Sequence, residues 1–200
     1  MLEQDIKQSK IEETNINQQK YENEDCIAIN AEKITFEKTS FIKCRLSNAN
    51  FEAAEFIEVR FEGCDMTNSI FNNAYFKNCS FVHCKADGSK FGSALLKSTQ
   101  MDNCSFMYCN FVNTLWEETL VNACDMKESF FSEVKFKKPV FHEVNFTSAD
   151  FFKTKLKNID VSDCIITGIL LSDTFTELAG AKVSILQAAD LAKLLQVQIV

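Results

Sequence analysis

The sequence repeats itself every five residues. Stepping by five from Phe36, the chain reads Phe36, Phe41, Leu46, Phe51, Phe56, Phe61, Met66, Phe71, Phe76, Phe81, Ala86, Phe91, Leu96 and Met101, and runs on through Phe106, Phe111, Trp116, Val121, Met126 and Phe131 to Leu171. Every position in this series is apolar, and no insertion shifts its phase. Of the nineteen Phe, only Phe130, Phe152 and Phe175 lie off it. Two residues before these centres stands a second series that is nearly all Ala, Cys, Ser, Thr, Val or Ile, as in Cys44, Ala49, Ala54, Val59, Cys64, Ser69, Ala74 and Cys79. A period of five fits neither an α-helix nor a strand, so the chain must turn at regular intervals.

A second period tells how often. Cys44, Cys64, Cys84, Cys104, Cys124 and Cys164 recur at twenty residues or a multiple of it, with Val144 in the one gap, and Phe51, Phe71, Phe91, Phe111, Phe131 and Phe151 keep the same spacing. Four pentapeptides therefore make one coil, and equivalent residues stack from coil to coil. The spacing predicts an all-β solenoid, a quadrilateral parallel β-helix of about seven to eight coils, in which bonding between layers about 4.8 Å apart replaces a conventional core.

The same phase decides how to read Cys79, His83 and Cys84, which resemble a metal or redox cluster. All the cysteines except Cys26 occupy the small inward series, where a thiol serves as a compact buried hydrophobe. His83 falls at an outward corner and does not join two inward thiols around a tetrahedral metal. No metal, cofactor or disulfide is expected. Only two histidines exist, His83 and His142, three coils apart, and no phosphate loop or nucleophile motif accompanies them. An enzyme is not expected.

Two hundred residues, 46% apolar and 24% charged, suit one folded unit. Without an apolar run long enough to span a bilayer or a basic, apolar leader, the expected location is the cytoplasm and no membrane contact is expected. A formal charge of -7 argues against direct nucleic-acid binding and favours a basic partner.

The small-x-Phe/Leu-x-x pattern, as in C-R-L-S-N-A-N-F-E-A and S-A-D-F-F, resembles the pentapeptide-repeat family over residues 34–173. The resemblance implies a right-handed quadrilateral β-helix. The final stretch Q-A-A-D-L-A-K-L-L-Q-V-Q-I-V, from Gln187 to Val200, resembles the C-terminal signature of the Qnr-type quinolone-resistance branch. That resemblance implies a homodimer that binds DNA gyrase or topoisomerase IV as a mimic of DNA. Branch members commonly carry loops between repeats that are implicated in protection from drug, and this chain has none between Phe36 and Leu171.

Three segments follow. Residues 1–20 are expected to be a flexible or loosely docked polar segment, with a folded helical cap as the competing reading. Residues 21–173 form the β-helix. Residues 174–200 form a C-terminal helix and short strand, capped by Ser184, that close the open end. The apolar residues there exceed what closure needs, so Ile185, Ala188, Leu191, Leu194, Leu195, Val197 and Ile199 are the expected dimer interface, and capping alone is the other reading.

Charge separates the sides of the rod. The side of Phe36, Phe56 and Phe76 is net positive, with Lys135, Lys137, Lys138, Lys155 and Lys157 towards its C-terminal end, and the other three are net negative. A topoisomerase-facing surface would use those three, through Asp125, Glu128, Glu133, Glu143, Asp150, Asp160, Asp163 and Asp173. Ordinary solubilising charge is the alternative reading, and a pentapeptide-repeat scaffold for some other protein is the alternative function. Tyr75, Leu95 and Leu115 form an outward apolar strip beside the lysines, expected to hold the N-terminal segment, with a partner protein as the other reading.

Overall fold

In the computed structural model, which describes residues 1–194, the chain winds into a right-handed β-helix with four faces. Face one carries β1 (Ile16–Asn17), β3 (Thr35–Glu37), β5 (Glu55–Ile57), β7 (Tyr75–Lys77), β9 (Leu95–Lys97), β11 (Leu115–Glu117) and β13 (Lys135–Lys137) as a seven-stranded parallel sheet. Face two carries β2 (Lys20–Glu22), β4 (Ser40–Ile42), β6 (Arg60–Glu62), β8 (Ser80–Val82), β10 (Gln100–Asp102), β12 (Leu120–Asn122) and β14 (Val140–His142) as a second. Among the described residues, faces three and four have no extended strands. Single parallel bridges join them, in columns running from Asp25 through Arg45 to Ile165 and from Asn30 through Asn50 to Leu170. The register step is twenty residues through both sheets and both bridge columns, as in Phe36 opposite Phe56 and Phe41 opposite Phe61, and lengthens where Asp160 pairs with Lys182 in the partial coil at the C-terminal end.

The centres fill the interior as aromatic ladders. Phe51, Phe71, Phe91 and Phe111 stack with ring centroids 5.1, 4.8 and 4.9 Å apart, at the repeat distance of the backbone itself. Neighbouring ladders meet edge to face, as Phe36 does with Phe41 at 72°. The small series makes a second kind of contact. Ser89 Oγ donates to Met66 O at 2.7 Å and accepts from Ser69 N–H at 3.0 Å, so one hydroxyl clamps two coils. Ser129 does the same between Phe106 O and Cys109 N–H. The position therefore selects for a short donor as well as for small volume.

Corners explain the remaining selection. Two residues after the centres the backbone is left-handed at every corner from Gln18 to Gly168 except Asp163, with φ of 58° at Asn48, 58° at Asn73 and 60° at Asn113. Asn recurs there, Gly63, Gly88 and Gly168 take the same conformation, and no corner from Gln18 to Gly168 is Val, Ile or Thr.

The N-terminal residues differ from the expected mobile segment. Leu2–Glu12 form helix α1, and Leu2 and Ile6 are buried against the first coil. Tyr21 OH donates to Asp5 Oδ2 at 2.7 Å, the N-terminal ammonium lies 3.2 Å from Glu24, and Lys10 Nζ reaches Asn30 O at 2.9 Å. The open lower end of the ladder exposes aromatic core, and burying Leu2 and Ile6 there offsets the ordering of the segment. Winding begins at Ile16 rather than Tyr21. Gln19 stays exposed and Glu24 only half-buried, which is why polar side chains are tolerated in that small series. α1 caps the end and leaves the Tyr75, Leu95, Leu115 strip half-buried on face one, contrary to the expected docking there.

At the other end, residues 174–183 continue over faces one and two as a partial coil with a 3₁₀ turn at Thr176–Leu178, and helix α2 (Ile185–Leu194) lies on top. No helix among the described residues is long and apolar enough to cross a membrane. If the corners set the fold, Asn73→Val loses about 1–2 kcal/mol in urea unfolding while Asn73→Gly stays near wild type, because only the branched side chain clashes in the left-handed region.

Candidate functional site

The thiols settle the cysteine cluster. All nine cysteines are free and buried, and Cys79 Sγ donates to Phe56 O at 3.2 Å, as Cys64 Sγ does to Phe41 O at 3.3 Å and Cys109 Sγ to Ala86 O at 3.0 Å. They occupy the place of the clamping serines. His83 stands at a left-handed corner, outside. Burial pushes the Cys79 thiol up to about 11 and that of Cys164 up to about 12, against an ordinary 9.0.

The C-terminal end is assembled around Gln187. Its Nε2 donates to Val161 O at 2.8 Å and Cys164 O at 2.7 Å, and its Oε1 accepts from Ser184 N–H at 2.7 Å. Gln187 N–H returns to Ser184 Oγ at 3.3 Å, which completes a capping box. One side chain thus starts the helix and seats it on carbonyls of the last full coil. Leu191 packs against the core, whereas Ile185 is 89% and Leu186 81% exposed, and Leu194 is exposed as well. An apolar groove lined by Phe175, Leu178, Val183, Ala188, Leu191 and Ala192 opens beside α2. Of the expected dimer residues, Ile185, Ala188 and Leu194 are exposed and Leu191 is half-buried; Leu195, Val197 and Ile199 lie outside the described residues.

Glu177, which sequence reasoning passed over, is the buried lock of this end. Burial opposes its ionisation. Hydrogen bonds from Lys153 N–H at 2.8 Å and from Ser172 N–H and Oγ at 3.2 and 2.9 Å outweigh that and hold the carboxyl below the ordinary range. Its position within a lost repeat phase gave no signal. The exposed apolar group on face four had one: Phe130 and Leu170 share a bridge column with Phe152 close by, and both Phe are off-phase.

The candidate acidic residues do not converge. Glu143, Asp160 and Asp163 lie on face two, Asp125 and Glu128 on face three, and Glu133, Asp150 and Asp173 on face four. Several are partnered locally. Lys127 lies 3.5 Å from Asp125, Lys153 lies 3.4 Å from Glu133, and His142 contacts Asp163 and sits 3.9 Å from Glu143. Asp150 accepts from Ser132 Oγ and Phe152 N–H, and Ser162 holds the Asp160 carboxyl below its ordinary value. Lys135, Lys137, Lys138, Lys155 and Lys157 are all exposed on or beside face one.

Two family profiles match: the pentapeptide repeat region over residues 54–131, and pentapeptide repeats in eight copies over residues 129–168. The chain belongs to the pentapeptide-repeat family. No curated protein matches the sequence. Among solved structures, a trypsin-treated variant of QnrB1, a plasmid-mediated fluoroquinolone resistance protein, is 17% identical and covers 94% of this chain and 100% of its own, with a TM-score of 0.41. HetL, involved in heterocyst differentiation regulation in the cyanobacterium Nostoc, is 10% identical over 84% of this chain and 92% of its own, with a TM-score of 0.30. A pentapeptide repeat protein from the thylakoid lumen of Arabidopsis thaliana is 14% identical over 62% of this chain and 69% of its own, with a TM-score of 0.24. These likenesses concern fold alone.

The buried thiols carry a pH dependence with a definite sign. The folded value of Cys79 exceeds the ordinary one, so its burial contributes stability that is complete below about pH 9 and is lost as the pH rises towards 11. Urea midpoints should therefore fall between those values, and Cys79→Ser should flatten part of the fall.

Proposed function

We propose that the protein is a non-enzymatic binding protein that dimerises through its C-terminal end and engages DNA gyrase or topoisomerase IV, protecting the enzyme from a fluoroquinolone or a related poison. The observation that carries this reading is the seat of α2. Gln187 fixes the helix on the last coil, so that Ile185, Leu186 and Leu194 are held in solvent. Exposed aliphatic side chains on a rigidly seated helix call for a partner, and a two-fold copy offers the same face in return. The segment that does this is the one resembling the Qnr-type signature.

In the dimer, the C-terminal coils of both rods flank the two-fold axis. The carboxylates of faces two, three and four then surround the centre of a rod whose core is stacked rings, much as phosphates surround stacked bases. A basic DNA-binding saddle would meet those faces, steered by long-range charge. Face one, with its lysines, would turn away.

The scaffold reading has one observation in its favour, the local neutralisation of Asp125 and Glu133 by Lys127 and Lys153. Gyrase supercoiling with increasing protein, with and without a fluoroquinolone, separates the two. The expected outcome is inhibition at micromolar protein without the drug or restored supercoiling with it, and loss of either effect in Ile185→Lys/Leu186→Lys, which should run as a monomer in light scattering. A monomeric wild type, or a dimer without effect in either arm, moves the assignment to the scaffold.

A further inference from the structure

Among the described residues the ladder breaks on faces one and two above β13 and β14. On face one each outward residue before a centre donates to the coil below, in the series Glu55 N–H to Ile34 O at 3.0 Å, Tyr75 to Ala54 at 3.0 Å, Leu95 to Ala74 at 3.0 Å, Leu115 to Ala94 at 3.1 Å and Lys135 to Thr114 at 2.9 Å. Each corner donates to the coil above, with Asn78 to Lys97 at 3.0 Å, Ser98 to Glu117 at 2.8 Å and Glu118 to Lys137 at 2.8 Å. The next members, Lys155 to Val134 and Lys138 to Lys157, are not formed. Face two stops at the same level. Ala123 N–H reaches His142 O at 2.9 Å, but Glu143 does not bond Ser162, and Asp160 does not bond Pro139.

Among the described residues, no backbone-to-backbone hydrogen bond joins 134–143 to 154–163, and the two levels meet only through Val134 N–H to Thr154 Oγ1 at 2.9 Å and the contact of His142 with Asp163. The upper segment is instead bonded upwards, from Leu156 N–H to Glu177 O and from Asn158 N–H to Gly180 O. β13 and β14 are consequently the terminal strands of both sheets, although the chain continues above them. Faces three and four remain bonded at this level, through Ile165 N–H to Val144 O and Leu170 N–H to Ala149 O. The result is a seam on two faces, with Phe136 only half-buried at its lip.

The lysines of face one line that seam. Lys135 and Lys137 stand on its lower bank and Lys155 and Lys157 on its upper bank, all exposed. Glu117 lies 3.6 Å from Lys137, whereas Lys135, Lys155 and Lys157 have no carboxylate within 4.0 Å among the described residues. Stacking lysines on adjacent levels is unfavourable by itself, and here it coincides with backbone amides that have lost their ladder partners.

We propose that this seam is a docking site for an extended acidic polypeptide segment, whose carboxylates bridge the two banks and accept from the freed N–H groups of Lys138 and Lys155. Geometry favours that occupant. Lys135 and Lys137 face outward two residues apart in an extended strand, a spacing of about 6.6–6.8 Å, which is also the spacing of same-side carboxylates in an extended peptide. Charge limits it to something short. The site spans two coil levels, and Glu143, Asp160 and Asp163 stand round the corner on face two, where a long duplex would meet repulsion. The inference is independent of the topoisomerase reading and uses the face which that reading leaves free.

The test titrates the full-length protein with fluorescein-labelled pentaglutamate at low salt, using a duplex oligonucleotide as competitor. Lys135→Glu/Lys155→Glu should weaken the peptide by about tenfold, the combined size of lost charge-assisted contacts at partly exposed sites. Lys77→Glu/Lys97→Glu, on the same face where the ladder is intact, should leave it unchanged. Amide shifts on binding should be confined to residues 134–143 and 154–163 in wild type. Equal weakening in the two variants, dispersed shifts, no binding, or preferential binding of the duplex would each overturn the proposal.

Discussion

Everything in this molecule depends on the twenty-residue register of the inter-coil ladder. A coil has no core of its own: its four inward centres cover only half of each ring, and the next coil covers the other half. The ring stacking distance of about 4.8–5.3 Å and the backbone spacing are one quantity expressed twice, so any shift of phase would break both together. Hydroxyl and thiol clamps run along the same axis and tie each level to the one below. Stability in such a rod is nearest-neighbour, and the ends are where it is vulnerable. Both ends are closed by helices, α1 through Leu2 and Ile6 and α2 through Gln187 and Leu191.

The winding is legible in the amino-acid order itself, because a single rule, apolar centre and small predecessor, runs from Phe36 to Leu171 with Pro139 as its exception, and fails only in the first coil at Gln19 and Glu24. Phase alone assigns Cys79 and Cys84 to the interior. What the rule does not contain is direction along the axis. That the small series donates hydrogen bonds to the coil below is a property of the stacked state, and the frequency of Ser, Thr and Cys in it is the one trace this leaves in the sequence. α1 is obscured because its burial involves only Leu2, Ile6 and Ser9 in an otherwise polar segment. Its cause is the exposed end of the ladder rather than its own amphipathicity. The acidic residues are countable in the sequence but not placeable in function, since their pairing depends both on near neighbours, as Lys127 for Asp125, and on the adjacent coil, as Lys153 for Glu133.

A periodic rod offers a partner the same surface at each level, so recognition has to come from where the period fails. It fails in three places: at α1, at the C-terminal end, and at the seam between 134–143 and 154–163. The proposed dimer uses the second and the proposed acidic ligand the third. Between them lie the carboxylates of the C-terminal coils, on faces that the lysines of face one do not share. A rod built this way can present opposite charges on different sides without any loop.

Direct competition for the enzyme tests the functional account at its centre. DNA gyrase immobilised on a sensor surface is exposed to the protein, alone and with increasing duplex DNA. The account predicts saturable, salt-sensitive binding that duplex DNA displaces, because both occupy the same basic saddle. Binding that persists unchanged at saturating DNA, or the absence of binding by a folded dimer, would contradict it.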